Sequence, residues 1–198
     1  FCATRAEFRR LVDAGDLAGA ESLLSATPLS DADKLSMGGL VAARRQEAVA
    51  ILACAVVDAG KASVAGAIDS YQQAINIDRG MPQAALSAAL RNLAVAAVVA
   101  LETTAEIRQA DAAQLEMILA AYAQIVAKLP ALQHEAKFVA MQDQLVEAVG
   151  RCFRSIASLE AAGQLARAVR SSGMPVGHDL DQVTAALLAL TESGDGQP

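Results

Sequence analysis

Apolar residues recur along this chain at helical spacing, and Gly and Pro separate the segments that carry the pattern. The reading is about eight helices. The first covers residues 4–14 with Phe8, Leu11 and Val12 on one face; Gly15 breaks it, and Asp16 is placed to cap the second, which ends near Thr27-Pro28. Ser30 followed by Asp33 starts a long third helix that no Gly or Pro interrupts from Leu40 to Ala59, and Gly60 closes it. The fourth spans about residues 63–78. Pro82 opens the fifth, whose apolar run 93–101 predicts a central helix with Val95 and Val98 nearly fully buried. Thr103 and Glu106 read as a capping box between helices five and six, and Pro130 closes the sixth. The seventh runs over 132–161, Gly163 turns the chain into a short eighth that stops at Ser171-Ser172-Gly173, and a last short helix spans 180–190. The polar tail 191–198 is expected to be disordered.

Three echoes, Asp13-Ala14-Gly15, Asp58-Ala59-Gly60 and Ala161-Ala162-Gly163, place a Gly able to take positive φ at a helix end with small residues after it. Their unequal spacing separates the chain from a regular solenoid. The predicted fold is all-α: an irregular antiparallel helical stack or bundle, one domain over residues 1–190.

Composition narrows the class. Hydrophobic residues make up 54% of the 198, aromatics 3%, and Trp is absent, which suits Ala-rich helices and leaves too few β-branched and aromatic residues for a sheet. A net charge of -6 argues against nucleic acid as a partner. Cys2, Cys54 and Cys152 are odd in number and lack metal spacing, so neither a disulfide framework nor a metal site is predicted. The apolar runs 48–57 and 93–101 are about half the ~20 residues that a membrane-spanning helix needs. The chain opens at Phe1-Cys2 without Met, so a native N-terminal segment, with a membrane anchor as one option, is expected to be missing; the expected location is the cytoplasm or a membrane's cytoplasmic face.

Residues 49–79 resemble a tetratricopeptide repeat: Ala67, Tyr71 and Ala74 match the small, aromatic and small positions of its second helix, with Arg79 where that family has Pro. Residues 5–24 resemble a weaker copy around Gly15 and Ala20. The resemblance implies tetratricopeptide-like helical hairpins and a protein-binding scaffold without chemistry of its own. Residues 115–151 are similar to part of the LemA family of helical bundles, through Leu115, Leu119, Pro130, Leu132, Phe138, Gln142, Leu145 and Arg151; the family's Asn-rich tail is missing after Arg151. That resemblance implies a membrane-associated bundle.

The chain offers little to catalysis. His134 and His178 are the only histidines, and the phosphate-binding loop, the dinucleotide fingerprint and the nucleophile elbow are absent, so no catalytic residue, cofactor or enzyme activity is predicted. The Arg residues are more informative. Arg151 and Arg154 share a helix face, as do Arg167 and Arg170, and only Glu160 offsets them on a chain that is acidic overall. A hairpin closed at Gly163 would gather all four into an anion-attracting patch, whose bland counterpart is a solvated face. The function expected is a non-enzymatic scaffold or adaptor that binds a protein partner through Arg151, Arg154, Arg167 and Arg170 or a groove near Tyr71. The alternative is a LemA-like bundle whose basic face contacts anionic lipid.

Overall fold

The computed structural model describes residues 2–61, 63–103 and 106–194, and among them the structure is helical with no strand. Two compact units divide the chain, residues 1–93 and 94–198.

In the first unit, α1 (Cys2–Asp13) packs on α2 (Leu17–Ala26), α2 packs on α3 (Asp31–Gly60), and α3 packs extensively on α4 (Val64–Ile77). Gly15 does what its position predicts. It takes φ +73, its N–H bonds Val12 O and the Asp16 N–H bonds Leu11 O, the paired closure of a left-handed helix end. Asp16 then caps α2 by accepting from the Gly19 N–H at 2.8 Å. Phe8, Val12, Leu17, Ala20, Leu24 and Val41 form one buried cluster. Ala48, Leu52, Ala55 and Ala59 are the buried side of the last half of α3, and Val64, Ala67, Ile68, Tyr71 and Ala74 that of α4. Gly60 is the last helical residue of α3, and among the described residues only Gly15 and Gly173 have positive φ. The three Gly echoes are therefore not equivalent.

Helix α5 (Gln83–Glu102) differs from its prediction. Leu93, Ala97 and Leu101 are fully buried, but Val95 is 47% exposed and Val98 only half-buried. The run has no polar side to turn outward, and the structure turns Val95 and Val99 outward while Ala94, Ala96 and Ala97 are buried.

In the second unit a 3-10 turn, Ile107–Gln109, precedes α6 (Ala112–Lys128), a second such turn, Pro130–His134, precedes α7 (Ala136–Ser155), and α8 (Leu159–Ser172) and α9 (His178–Gly194) follow. Helix α8 packs along α6 and α9, while α7 packs on α6 and both 3-10 turns. The break after α5 falls where expected, but the capping box is Asp111 with Gln114, not Thr103 with Glu106. Residues 104 and 105 lie outside the described residues. Helix α9 continues through residues 191–194, the first half of the expected disordered tail; residues 195–198 lie outside the described residues.

The larger correction concerns Gly163. The chain turns at residues 156–158, where Ile156 is extended and the Ser158 hydroxyl accepts from the Ala161 N–H to start α8. Gly163 is a buried residue inside α8, and a Cβ there would lie 2.3 Å from Thr191 Cγ2 of α9. It is glycine because two helices meet there. Thr191 cannot rotate freely, since its Oγ1 donates to Leu187 and Leu188 carbonyls at 3.1 and 2.9 Å. Gly163→Ala should cost about 1–3 kcal/mol through overpacking. Adding Thr191→Ser, which removes the obstructing methyl and keeps the hydroxyl, should return part of that loss in urea denaturation.

Candidate functional site

Arg151 and Arg154 lie at the end of α7, and Arg167 and Arg170 in the second half of α8; all four are exposed. Cations near a helix C-terminus are favourable in themselves, since the unpaired carbonyls there carry partial negative charge. The hairpin expected to gather the four does not form: α8 lies along α6 and α9 rather than along α7. Each Arg pair stands on its own helix.

These four differ from four Arg residues of the first unit in what they touch. Arg5, Arg10, Arg44 and Arg45 each hold a carboxylate, Asp33, Glu7, Glu47 and Glu21, at 2.6, 2.7, 2.8 and 2.6 Å. No carboxylate lies within ion-pair distance of Arg151, Arg154, Arg167 or Arg170 among the described residues. Their guanidinium donors face solvent, available to an external anion without first losing an internal partner.

Arg154 also borders a groove. On α7, Val146, Gly150 and Phe153 follow one another at i, i+4 and i+7 and so line one face; on α9, Leu180 and Val183 face them. The space enclosed is about 460 Å³. Val146, Phe153 and Leu180 are half-buried and Val183 is 43% exposed, so the groove offers apolar surface to something outside it. Gly150 keeps its centre open, with the Arg154 guanidinium lying just above: a Cβ on Gly150 would meet Arg154 Nη1 at 3.9 Å. Glu147 and Asp179 complete the rim. An apolar floor with charges at its edge suits an amphipathic helix laid lengthwise.

Beneath this surface the unit is held by a buried polar cluster. Tyr122 and Phe138 are fully buried with ring centroids 5.5 Å apart, and the Tyr122 hydroxyl accepts from Gln142 Nε2 at 2.5 Å and Gln133 Nε2 at 3.1 Å. Of the residues that carry the LemA-like pattern, Leu115, Leu119, Leu132, Phe138, Gln142 and Leu145 are buried in this unit, while Pro130 and Arg151 are exposed.

Tyr71 is only 7% exposed, a core residue of α4. Arg45 plays no part in the sequence analysis. It in fact ties three elements of the first unit, gripping Glu21 of α2 through two hydrogen bonds of 2.6 and 2.9 Å, with Asp78 beyond α4 at 3.8 Å. The signal that could have found it is its position, i+4 after the buried Val41 and beside the core face of α3.

The remaining titratable groups add no second site. No cluster of three or more His, Cys, Asp or Glu side chains able to hold a metal occurs among the described residues, and the His178 ring hydrogen-bonds Gln182. Burial pushes the Cys152 thiol up, with nearby Asp111 adding to the shift and Arg151 opposing it, so this thiol stays protonated at neutral pH. Residues 83–109 contain a helix long and apolar enough to cross a membrane by length and composition. It is longer than either uninterrupted apolar run because it accommodates Arg91 and Asn92; 33% of its most apolar stretch is buried, and Leu93, Ala97 and Leu101 are fully so. Comparison with family models, curated proteins and solved structures finds no match for this chain.

Proposed function

We propose that this protein is a non-enzymatic helical scaffold that binds a protein partner through the groove between α7 and α9, with Arg151 and Arg154 as its cationic side and Arg167 and Arg170 as outer contacts. The observation that carries this reading is the partly exposed apolar floor of Val146, Phe153, Leu180 and Val183 beside the Arg154 guanidinium, which forms no ion pair among the described residues. The occupant it fits is an amphipathic helix with apolar residues at i, i+3, i+4 and i+7, flanked by acidic ones. Apolar burial supplies the affinity and the Arg residues set orientation and salt dependence.

A labelled synthetic helix of that pattern, with Glu flanks, should bind the protein in fluorescence anisotropy, while the same helix with Lys flanks should bind at least about tenfold more weakly, a difference of ~1.4 kcal/mol. Replacing all four Arg by Gln should reduce binding of the Glu helix and flatten its salt dependence. Val183→Asp, at an exposed position, should reduce binding without unfolding the unit. Equal binding of both helices, or anionic vesicles held through the four Arg with no helix bound, would overturn the reading.

We also read the α3–α4 hairpin as tetratricopeptide-like. Full burial of Ala67 and Ala74 and near-full burial of Tyr71 support it, because the small residues permit close approach and the ring fills the gap between turns. Ala67→Leu should destabilise by about 1–3 kcal/mol, and Ser70→Ala should be nearly silent, as measured by thermal or urea unfolding.

A further inference from the structure

Helix α3 has a second apolar face. Its core side, around Val41, Ala48, Leu52, Ala55 and Ala59, is buried. Starting from Leu35 and stepping alternately four and three residues, the chain meets eight positions that end at Gly60, and every one is exposed and uncharged. Leu35 is 80% exposed, Val49 59% and Val56 39%. An alternation of this kind, sustained over three to four heptads, has the spacing of a coiled-coil seam, here about 37 Å long at 1.5 Å per residue. Among the described residues of the first unit the seam has no partner.

We propose that it pairs with the same seam of a second copy, antiparallel, about a two-fold axis between Gln46 and Val49. The argument is self-complementarity. In that register the seam overlaps along its whole length, and toward its ends large residues meet small ones: Leu35 faces Gly60 of the copy and Val56 faces Gly39, while Ala42 faces Ala53 and Gln46 faces Val49. A parallel, in-register pair would instead stack Gly39 on Gly39 and Gly60 on Gly60 and leave gaps there. The one polar seam residue, Gln46, lies next to the axis, where its amide can exchange hydrogen bonds with its own copy, each providing a donor and an acceptor. The flanking positions on the open side, Ser36, Ala43, Ala50 and Val57, are exposed and uncharged, so no like charges oppose one another along that flank. Gly and Ala allow close approach but bury modest area, which places the pair at the low end of specific interfaces, a reversible dimer. Each copy carries a net charge of -6, so added salt should strengthen the association by screening repulsion, the opposite of its effect at the Arg groove.

Sedimentation equilibrium of the full chain under reducing conditions should show a monomer–dimer equilibrium in the micromolar range that tightens with salt. Val49→Glu should abolish it with the helical circular dichroism unchanged, because the position is exposed. Ala42→Glu and Ala53→Lys should each weaken the dimer, and together they should restore it, since each Glu then faces a Lys of the copy in the antiparallel register. A chain monomeric at all accessible concentrations, a dimer indifferent to Val49→Glu, or a double variant no better than its singles would overturn the proposal.

Discussion

Gly15→Ala should be among the most damaging single-methyl additions in this chain, at about 3–5 kcal/mol. Two costs combine. A non-Gly residue held at φ +73 sits in the left-handed region, worth about 1–2 kcal/mol. The new Cβ would also lie 2.2 Å from the Asn76 carbonyl oxygen, a backbone atom that cannot turn aside. Relieving the overlap means drawing the α1–α2 turn away from the end of α4, which loses the 3.0 Å hydrogen bond from the Arg79 N–H to the Gly15 carbonyl. Gly38→Ala provides the control. Its Cβ would meet nothing within 4 Å inside α3, so the methyl should stabilise by about 0.5–1 kcal/mol through helix propensity. The two urea midpoints should move in opposite directions.

Phe138→Ala should cost the second unit about 3–5 kcal/mol, as expected for emptying a fully buried aromatic site. Tyr122→Phe removes one oxygen and should still cost about 1–3 kcal/mol, because Gln142, itself buried, would keep its amide donor without the hydroxyl that accepts from it. Combining Tyr122→Phe with Gln142→Leu should therefore be less damaging than the sum of the two, since both halves of the polar pair are then gone. Strict additivity in urea unfolding would mean that the 2.5 Å contact contributes no coupling.

How far the sequence reaches is visible at individual residues. Gly15, Asp16 and Ser30 declare their roles locally, because a left-handed helix end and a side-chain cap are made by neighbours in the chain. Gly163 misleads for the complementary reason. Its smallness serves a contact with Thr191, 28 residues on, and a Gly chosen for close approach looks the same in sequence as one chosen to turn. The real turn at 156–158 contains neither Gly nor Pro; its local sign was Ser158 with Glu160 in the first turn after it. The division between the two units falls inside α5, where no Pro or Gly occurs and Arg91 and Asn92 are the only polar residues nearby, so nothing there marks a linker. For the site, the sequence supplied Arg154 and its neighbours but not their setting. Helical periodicity says which residues share a face of α7, and nothing in it says that Leu180 and Val183 of α9 lie opposite. Tyr71 shows the same limit, since a position matched by pattern can belong to the core.

The most direct measurement is a methyl-resolved NMR titration of the full chain with the Glu-flanked amphipathic helix. The account predicts that the largest shifts fall on the methyls of Val146, Leu180 and Val183, accompanied by the Arg154 side-chain signal, and that more peptide is needed to reach them when Arg151, Arg154, Arg167 and Arg170 are all Gln at moderate salt. A titration that leaves those methyls unmoved, or that moves them equally with a Lys-flanked helix, would contradict it.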